Sequence, residues 1–142
     1  MLHIAKSIDD LDIEKLMLLY SGDDELLRYL QDTFFDGGAS CYVILDDGVR
    51  YLSALRLEPY KDGLLLSGFQ THPDFRNRGY GTMLLERVVK LFSVDGMNIY
   101  SHIHNRNGAS LKLHSRCGFK KLSDAAVLLD GTVTSQYITM VY

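Results

Sequence analysis

The sequence has only two cysteines, Cys41 and Cys117, far apart and outside any CxxC spacing. That excludes a dense disulfide scaffold and leads us to expect reduced thiols in a cytosolic protein. No apolar run approaches the roughly 20 residues of a membrane-spanning helix. The N-terminal "MLHIAKSIDD" runs into acidic residues and not into a long apolar signal region. The expectation is a cytoplasmic protein with no membrane partner and no segment to be removed. Basic charge is not in excess either, since 15 Lys and Arg stand against 18 Asp and Glu for a formal net charge of -3. The electrostatic footprint of a nucleic-acid binder is therefore missing, and any anion must be held by local groups. Internal repeats and low-complexity tracts are absent, as are the nucleotide loops GxxxxGK(S/T) and GxGxxG.

What remains is an ordinary globular composition, 46% hydrophobic and 23% charged over 142 residues, which predicts a single domain spanning 1–142. Residues 2–8 read as a strand, with a helix starting near Asp9 that places Leu11, Leu16, Leu19 and Tyr20 on one stripe. "DDELLRYLQDTFF" reads as a second helix closed by Gly37 and Gly38. The period then changes to that of strands. "SCYVILDDGVRYLSALRLE" is two runs about the turn residues Asp46, Asp47 and Gly48, and "LLLSGFQT" follows the break at "EPYKDG". Leu84, Leu85, Val88, Leu91 and Phe92 recur at helical spacing from Gly79 onward. "MNIYSHIH" is a strand, "ASLKLHSRC" a helix closed by Gly118, and the tail two strands about Asp130 and Gly131. The order β α α β β β α β α β β predicts an α/β fold of the mixed α+β kind, a sheet covered by helices.

The stretch "HPDFRNRGYGTMLLERVVKLF", residues 72–92, joins a strand to a helix. The first turn of a helix has amides without intrahelical partners at the positive end of the macrodipole, so it attracts anions. Gly79 and Gly81 remove side chains where a phosphate would approach, Arg76 and Arg78 add cationic arms, and Pro73 stiffens the entry. The arrangement suits a pyrophosphate. The plainer alternative is a tight turn with solvated arginines.

"RNRGYG" resembles the R/Q-x-x-G-x-G/A signature of the GNAT family of N-acetyltransferases, and "NGASLKLHSRCGF" is similar to the family's second block, N-x-x-A-x-x-L-Y-x-x-x-G-F, at Asn107, Ser110, Leu113, Gly118 and Phe119. The resemblance covers nearly the whole chain. It implies a mostly antiparallel mixed sheet of about six or seven strands with about four helices, and acetyl-CoA as co-substrate. By the same resemblance, the backbone of Phe69, Gln70 and Thr71 would meet the pantetheine arm. The amides of Arg76, Asn77, Arg78, Gly79, Tyr80, Gly81 and Thr82 would hold the pyrophosphate, with a further contact from the Thr82 hydroxyl. Asn107 and Ser110 would lie along the pantetheine, although Asn107 also reads as a helix cap.

Two positions depart from the pattern. His114 stands where the family has a tyrosine that protonates the departing thiolate; an imidazolium can do this, with an ordinary pKa of about 6.5, or solvent can. His102 stands where some members carry a basic carboxylate, and "LLLSGFQT" holds no acid at all. A base is needed because the amine is protonated at neutral pH. His102 would act directly or through water, or no strong base exists. His72, His102, His104 and His114 lack the tight spacing of zinc ligands, so no metal is expected.

The implied function is direct transfer of an acetyl group to a primary amine. The alternative is a degenerate coenzyme A-binding or sensor module, or a structural domain with an empty cleft. The acceptor stays open among a small-molecule amine, an amino acid and a peptide N-terminus. Tyr20, Phe34, Phe35 and Tyr60 would line its pocket or fill the core, and Asp23, Asp24, Glu25, Asp32 and Asp36 would attract a cation or face solvent. Monomer and homodimer both fit.

Overall fold

The computed structural model describes residues 1–142, the side chain of Asp95 excepted. The elements run β1 (Leu2–Ala5), α1 (Ile13–Met17), α2 (Asp24–Tyr29), β2 (Cys41–Asp46), β3 (Tyr51–Tyr60), β4 (Gly63–Thr71), α3 (Tyr80–Phe92), β5 (Asn98–His104), α4 (Gly108–Arg116), β6 (Lys120–Ser123), β7 (Ala126–Val127), β8 (Val133–Thr134) and β9 (Tyr137–Val141). Seven strands form one sheet in the order β1-β2-β3-β4-β5-β9-β6, and β7 pairs with β8 alone. The pairings β1/β2, β2/β3, β5/β9 and β6/β9 are antiparallel, while β4/β5 is parallel. The mixed, mostly antiparallel sheet expected from the sequence is present. The chain divides into two compact units, residues 1–58 with 68–84, and residues 59–67 with 85–142.

In the first unit the β2–β3 turn forms as its residues dictate. Asp46 Oδ1 accepts from Gly48 N at 2.7 Å, and Asp47 Oδ1 accepts from Val49 N at 2.8 Å and Arg50 N at 2.7 Å. The first helix starts later than its apolar stripe predicts. Residues Ile8–Asp10 make a 3-10 turn, and Asp12 caps α1 by accepting from Lys15 N. The reason is local: Asp10 Oδ2 takes the Lys6 amide at 3.2 Å, a side-chain bond that competes with helix nucleation. Asp23 caps α2 through the amides of Glu25 and Leu26. Leu16, Leu19, Leu26, Leu30, Phe34, Tyr42, Ile44 and Ala54 form the unit's core.

In the second unit β4 pairs with β5 from Gly63↔Asn98 to Leu66↔Ser101. β5 is paired on its other side with β9 from Tyr100↔Val141 to His104↔Tyr137. The tail departs from the two strands expected about Asp130 and Gly131. Four short strands form, with side-chain hydroxyls bonding carbonyls beside and within β7. Thr139 Oγ1 donates to Ala125 O at 2.7 Å and Tyr60 OH to Val127 O at 2.6 Å. β6 and β9 stay in the sheet while β7 and β8 leave it.

Candidate active site

In the first unit, the expected phosphate cradle is a short loop with unusual backbone angles. His72 Nδ1 accepts from Asp74 N at 3.1 Å and starts the 3-10 turn Pro73–Phe75. Asn77 then has φ 61 and Gly79 φ 84, the left-handed region that glycine enters freely and asparagine tolerates. Met83 N bonds Gly79 O at 2.9 Å, which makes Gly79 the N-cap of α3. A glycine cap has no side-chain oxygen to offer the first-turn amides of Tyr80, Gly81 and Thr82. A Cβ at Gly79 would meet nothing within 4 Å, so glycine is required by its φ, and the space above it is open.

The two arginines are anchored through their own contacts. Arg76 Nε donates to Thr71 O at 3.2 Å, and the Arg78 guanidinium lies 5.1 Å from the Phe75 ring centroid. Residues 76–79 are all exposed. At the end of β4, Ser53 Oγ donates to Gln70 O at 3.0 Å and lies 3.1 Å from Thr71 Oγ1. The residues predicted from Thr71 to Thr82 thus form one continuous stretch, exposed at 76–79 and half-buried at Thr71 and at the start of α3. Phe69 and Gln70 lie on the same strand end.

In the second unit, His114 is 1% exposed, with both ring nitrogens engaged. Nδ1 lies 2.8 Å from Ser110 O, an atom that can only accept, so Nδ1 carries the proton. Nε2 therefore accepts from Ser101 Oγ at 3.0 Å. Burial lowers the His114 pKa, with the bond to Ser110 O opposing it in part. At neutral pH the ring is neutral. Asn107 Oδ1 accepts from Ser110 N at 3.1 Å, the capping role anticipated for it.

His102 is half-buried, its ring edge-on to Tyr60 at 5.3 Å. Its pKa is lowered by burial and then by the charge of Lys61, so it too is neutral and able to accept a proton. Nε2 is shut off from solvent and has no hydrogen-bond partner among the described residues. Successive side chains of a strand point to opposite faces, so His102 and His104 share one face of β5 and Ser101 the other. The structure therefore does not bring the two candidate catalytic histidines together. His114 belongs to the Ser101 face. Among the described residues no group of three His, Cys, Asp or Glu side chains could hold a metal ion. Cys41 and Cys117 are free thiols.

A profile of the acetyltransferase (GNAT) family matches residues 8–119. The chain belongs to the GNAT acetyltransferase family. A GNAT-family acetyltransferase from Bacillus cereus ATCC 10987 aligns at TM-score 0.71 and 25% identity over 100% of this chain and 96% of its own. The ribosomal-protein-S18-alanine N-acetyltransferase of Escherichia coli aligns at TM-score 0.69 and 17% identity, covering 99% of this chain and 92% of that one. The PaiA N-acetyltransferase of Thermoplasma acidophilum, solved in complex with coenzyme A, aligns at TM-score 0.66 and 15% identity, covering 99% and 98%. No curated protein matches the sequence.

The fold of this GNAT acetyltransferase also buries charge that sequence reasoning did not single out. Glu58 on β3 is 8% exposed and its Oε2 accepts from Tyr29 OH at 3.0 Å. Burial, followed by the Glu58 charge, pushes the Tyr29 hydroxyl up to about 12. Arg56, two residues earlier and so on the same face, lies 5.8 Å from the Tyr29 ring centroid, 5.9 Å from Phe34 and 6.0 Å from Tyr42. The signal was visible in "SALRLEP": a strand period of two puts Arg56 and Glu58 in register with Ala54, on a face the first unit buries. Tyr20, Phe34 and Phe35 pack with that core, whereas Tyr60 packs on Tyr100 and His102 in the second unit.

Proposed function

We propose that residues 1–142 act as a single acyltransferase domain that moves an acetyl group from acetyl-CoA to a primary amine by direct attack within a ternary complex. The observation carrying this reading is the start of α3. A glycine N-cap at φ 84 with open space above it is flanked by Arg76 and Arg78. These residues fit a pyrophosphate, which would take the amides of residues 76–82 and the two guanidinium groups. Acetyl-CoA supplies an acetyl thioester, and transfer forms the new C–N bond as the C–S bond breaks. The backbone of Phe69, Gln70 and Thr71 is assigned to the pantetheine, as are Asn107 and Ser110, and an amide of β4 polarises the thioester carbonyl.

His102, held neutral, takes the ammonium proton directly or through water at Nδ1, because Nε2 is shut off from solvent. The sulfur is protonated by solvent, or by His114 giving up the proton held on Nδ1. No metal enters the reaction. The acceptor is a small-molecule amine or a peptide N-terminus, the chain works as a monomer or homodimer, and the reaction is placed in the cytoplasm. No described helix is long and apolar enough to cross a membrane.

A second reading, a coenzyme A-binding or sensor module without transfer, is favoured by His114, whose two ring nitrogens are both engaged in a buried site. Calorimetric titration with acetyl-CoA, beside an Arg78→Glu, Gly81→Glu double variant, tests the cofactor. Micromolar binding lost in the variant supports it, and no binding by folded wild type overturns it. Thiol release with an amine panel then separates transferase from sensor.

A further inference from the structure

Arg56 is a cation placed where a cation is costly. Among the described residues its Nε is shut off from solvent without a hydrogen-bond partner, and the guanidinium forms no ion pair with a carboxylate. The rings of Tyr29, Phe34 and Tyr42 surround the guanidinium at 5.8 to 6.0 Å, and these cation–π contacts offset only part of the desolvation. The backbone has been shaped to admit it. Gly68 on β4 has φ 60, and a Cβ there would come within 2.8 Å of Arg56 Nη1, so any other residue would displace the guanidinium. Tyr20 OH donates to the Gly68 carbonyl and holds that kink from the other side. Glu58 stands two residues along the same strand face, its carboxylate oriented by Tyr29 OH at 3.0 Å.

A half-buried guanidinium whose Nε is shut off from water and faces no anion is completed when a ligand brings one. Its planar fork binds a carboxylate through two parallel hydrogen bonds. Glu58, its backbone about 7 Å further along the strand, offers a second and opposite charge. A doubly charged phosphate would be repelled by Glu58. A molecule with a carboxylate and an ammonium on one carbon presents both charges together.

We propose that the acceptor is a free amino acid, with Arg56 binding its carboxylate and Glu58 its ammonium group. This rests on the acetyltransferase reading and narrows it. It sets Arg56 as the residue that discriminates among amines.

The test measures thiol release from acetyl-CoA by the wild-type chain with glycine, L-alanine, L-serine and L-glutamate, each beside its α-amide, after calorimetry with acetyl-CoA alone. Amino acids should exceed their amides in kcat/KM by about ten-fold or more, the scale of a charge-assisted bidentate pair. Arg56→Gln should raise KM for the amino acid by about ten-fold while leaving KM for the amide and for acetyl-CoA nearly unchanged. Arg56→Lys, which keeps the charge but loses the fork, should fall between and serves if Arg56→Gln does not fold. Amides turned over as well as amino acids, or neither turned over by a protein that binds acetyl-CoA, would overturn this inference alone. A folded wild type that fails to bind acetyl-CoA overturns the transferase reading and this inference together.

Discussion

Ser101 Oγ and His114 Nε2 share a hydrogen bond of 3.0 Å inside the second unit, with Ser101 2% exposed and His114 1%. A strand and a helix are thereby joined by a polar contact that water does not reach. Replacing Ser101 by Ala removes the hydroxyl that donates to buried Nε2, so Ser101→Ala should lose about 1–3 kcal/mol of unfolding free energy. Urea denaturation at pH 7 measures it. A loss within experimental error would mean that another donor reaches Nε2.

The same histidine makes stability pH-dependent. Its folded pKa is lowered by burial, so the unfolded chain binds the proton first. The contribution of neutral His114 is fully present above the unfolded value of about 6.5 and is lost as pH falls through the lower folded value. His102, lowered for the same reason, adds to the trend. Urea midpoints taken from pH 8 to pH 5 should fall in the wild type and fall less in His114→Phe. Parallel curves would reject the assignment.

His102 as general base predicts that His102→Ala lowers kcat by about 10²–10⁴ at pH 7, with acetyl-CoA binding retained. The acidic limb of kcat/KM should lie below the ordinary imidazole value. Because Lys61 contributes to lowering that pKa, Lys61→Met should move the limb to higher pH. A limb that stays in place in Lys61→Met removes His102 from the reaction.

Gly79 is held at φ 84 with nothing within 4 Å of a would-be Cβ. Gly79→Ala therefore meets backbone strain and no clash, at a cost of about 1–2 kcal/mol. Thermal melting reports that cost, and calorimetry should show weaker acetyl-CoA binding in the same variant.

Gly63 presents the opposite case. A Cβ there would lie 2.0 Å from the backbone oxygen of Asn98, the residue it faces across β4 and β5. Gly63→Ala must push the paired strands apart, and about 3 kcal/mol, the upper range for overpacking, is the expected loss. A denaturation midpoint equal to that of the wild type would show that the strands shift freely.

Much of this was legible along the chain because it depends on neighbours only. The hairpin at Asp46–Gly48, the cap at Asn107, the closure at Gly118 and the glycine-arginine entry to α3 are each decided within a few residues by turn and capping chemistry. Where local chemistry competed, reading failed by a few residues. Asp10 captured the Lys6 amide and delayed the first helix, and the tail formed four strands, with hydroxyls distant in sequence bonding carbonyls beside and within β7.

Turn residues, apolar periods and the two family blocks marked most of the elements and the family resemblance from sequence alone, since each acts at short range; the start of α1 and the four-strand tail were not among them. The tertiary structure decided which faces meet. Alternation along β5 separates Ser101 from His102, but only the packing of α4 assigns His114 to the Ser101 side. Arg56 and Glu58 read as ordinary strand charges until folding lays Tyr29 and Phe34 over them, because burial is a property of what arrives from elsewhere in the chain.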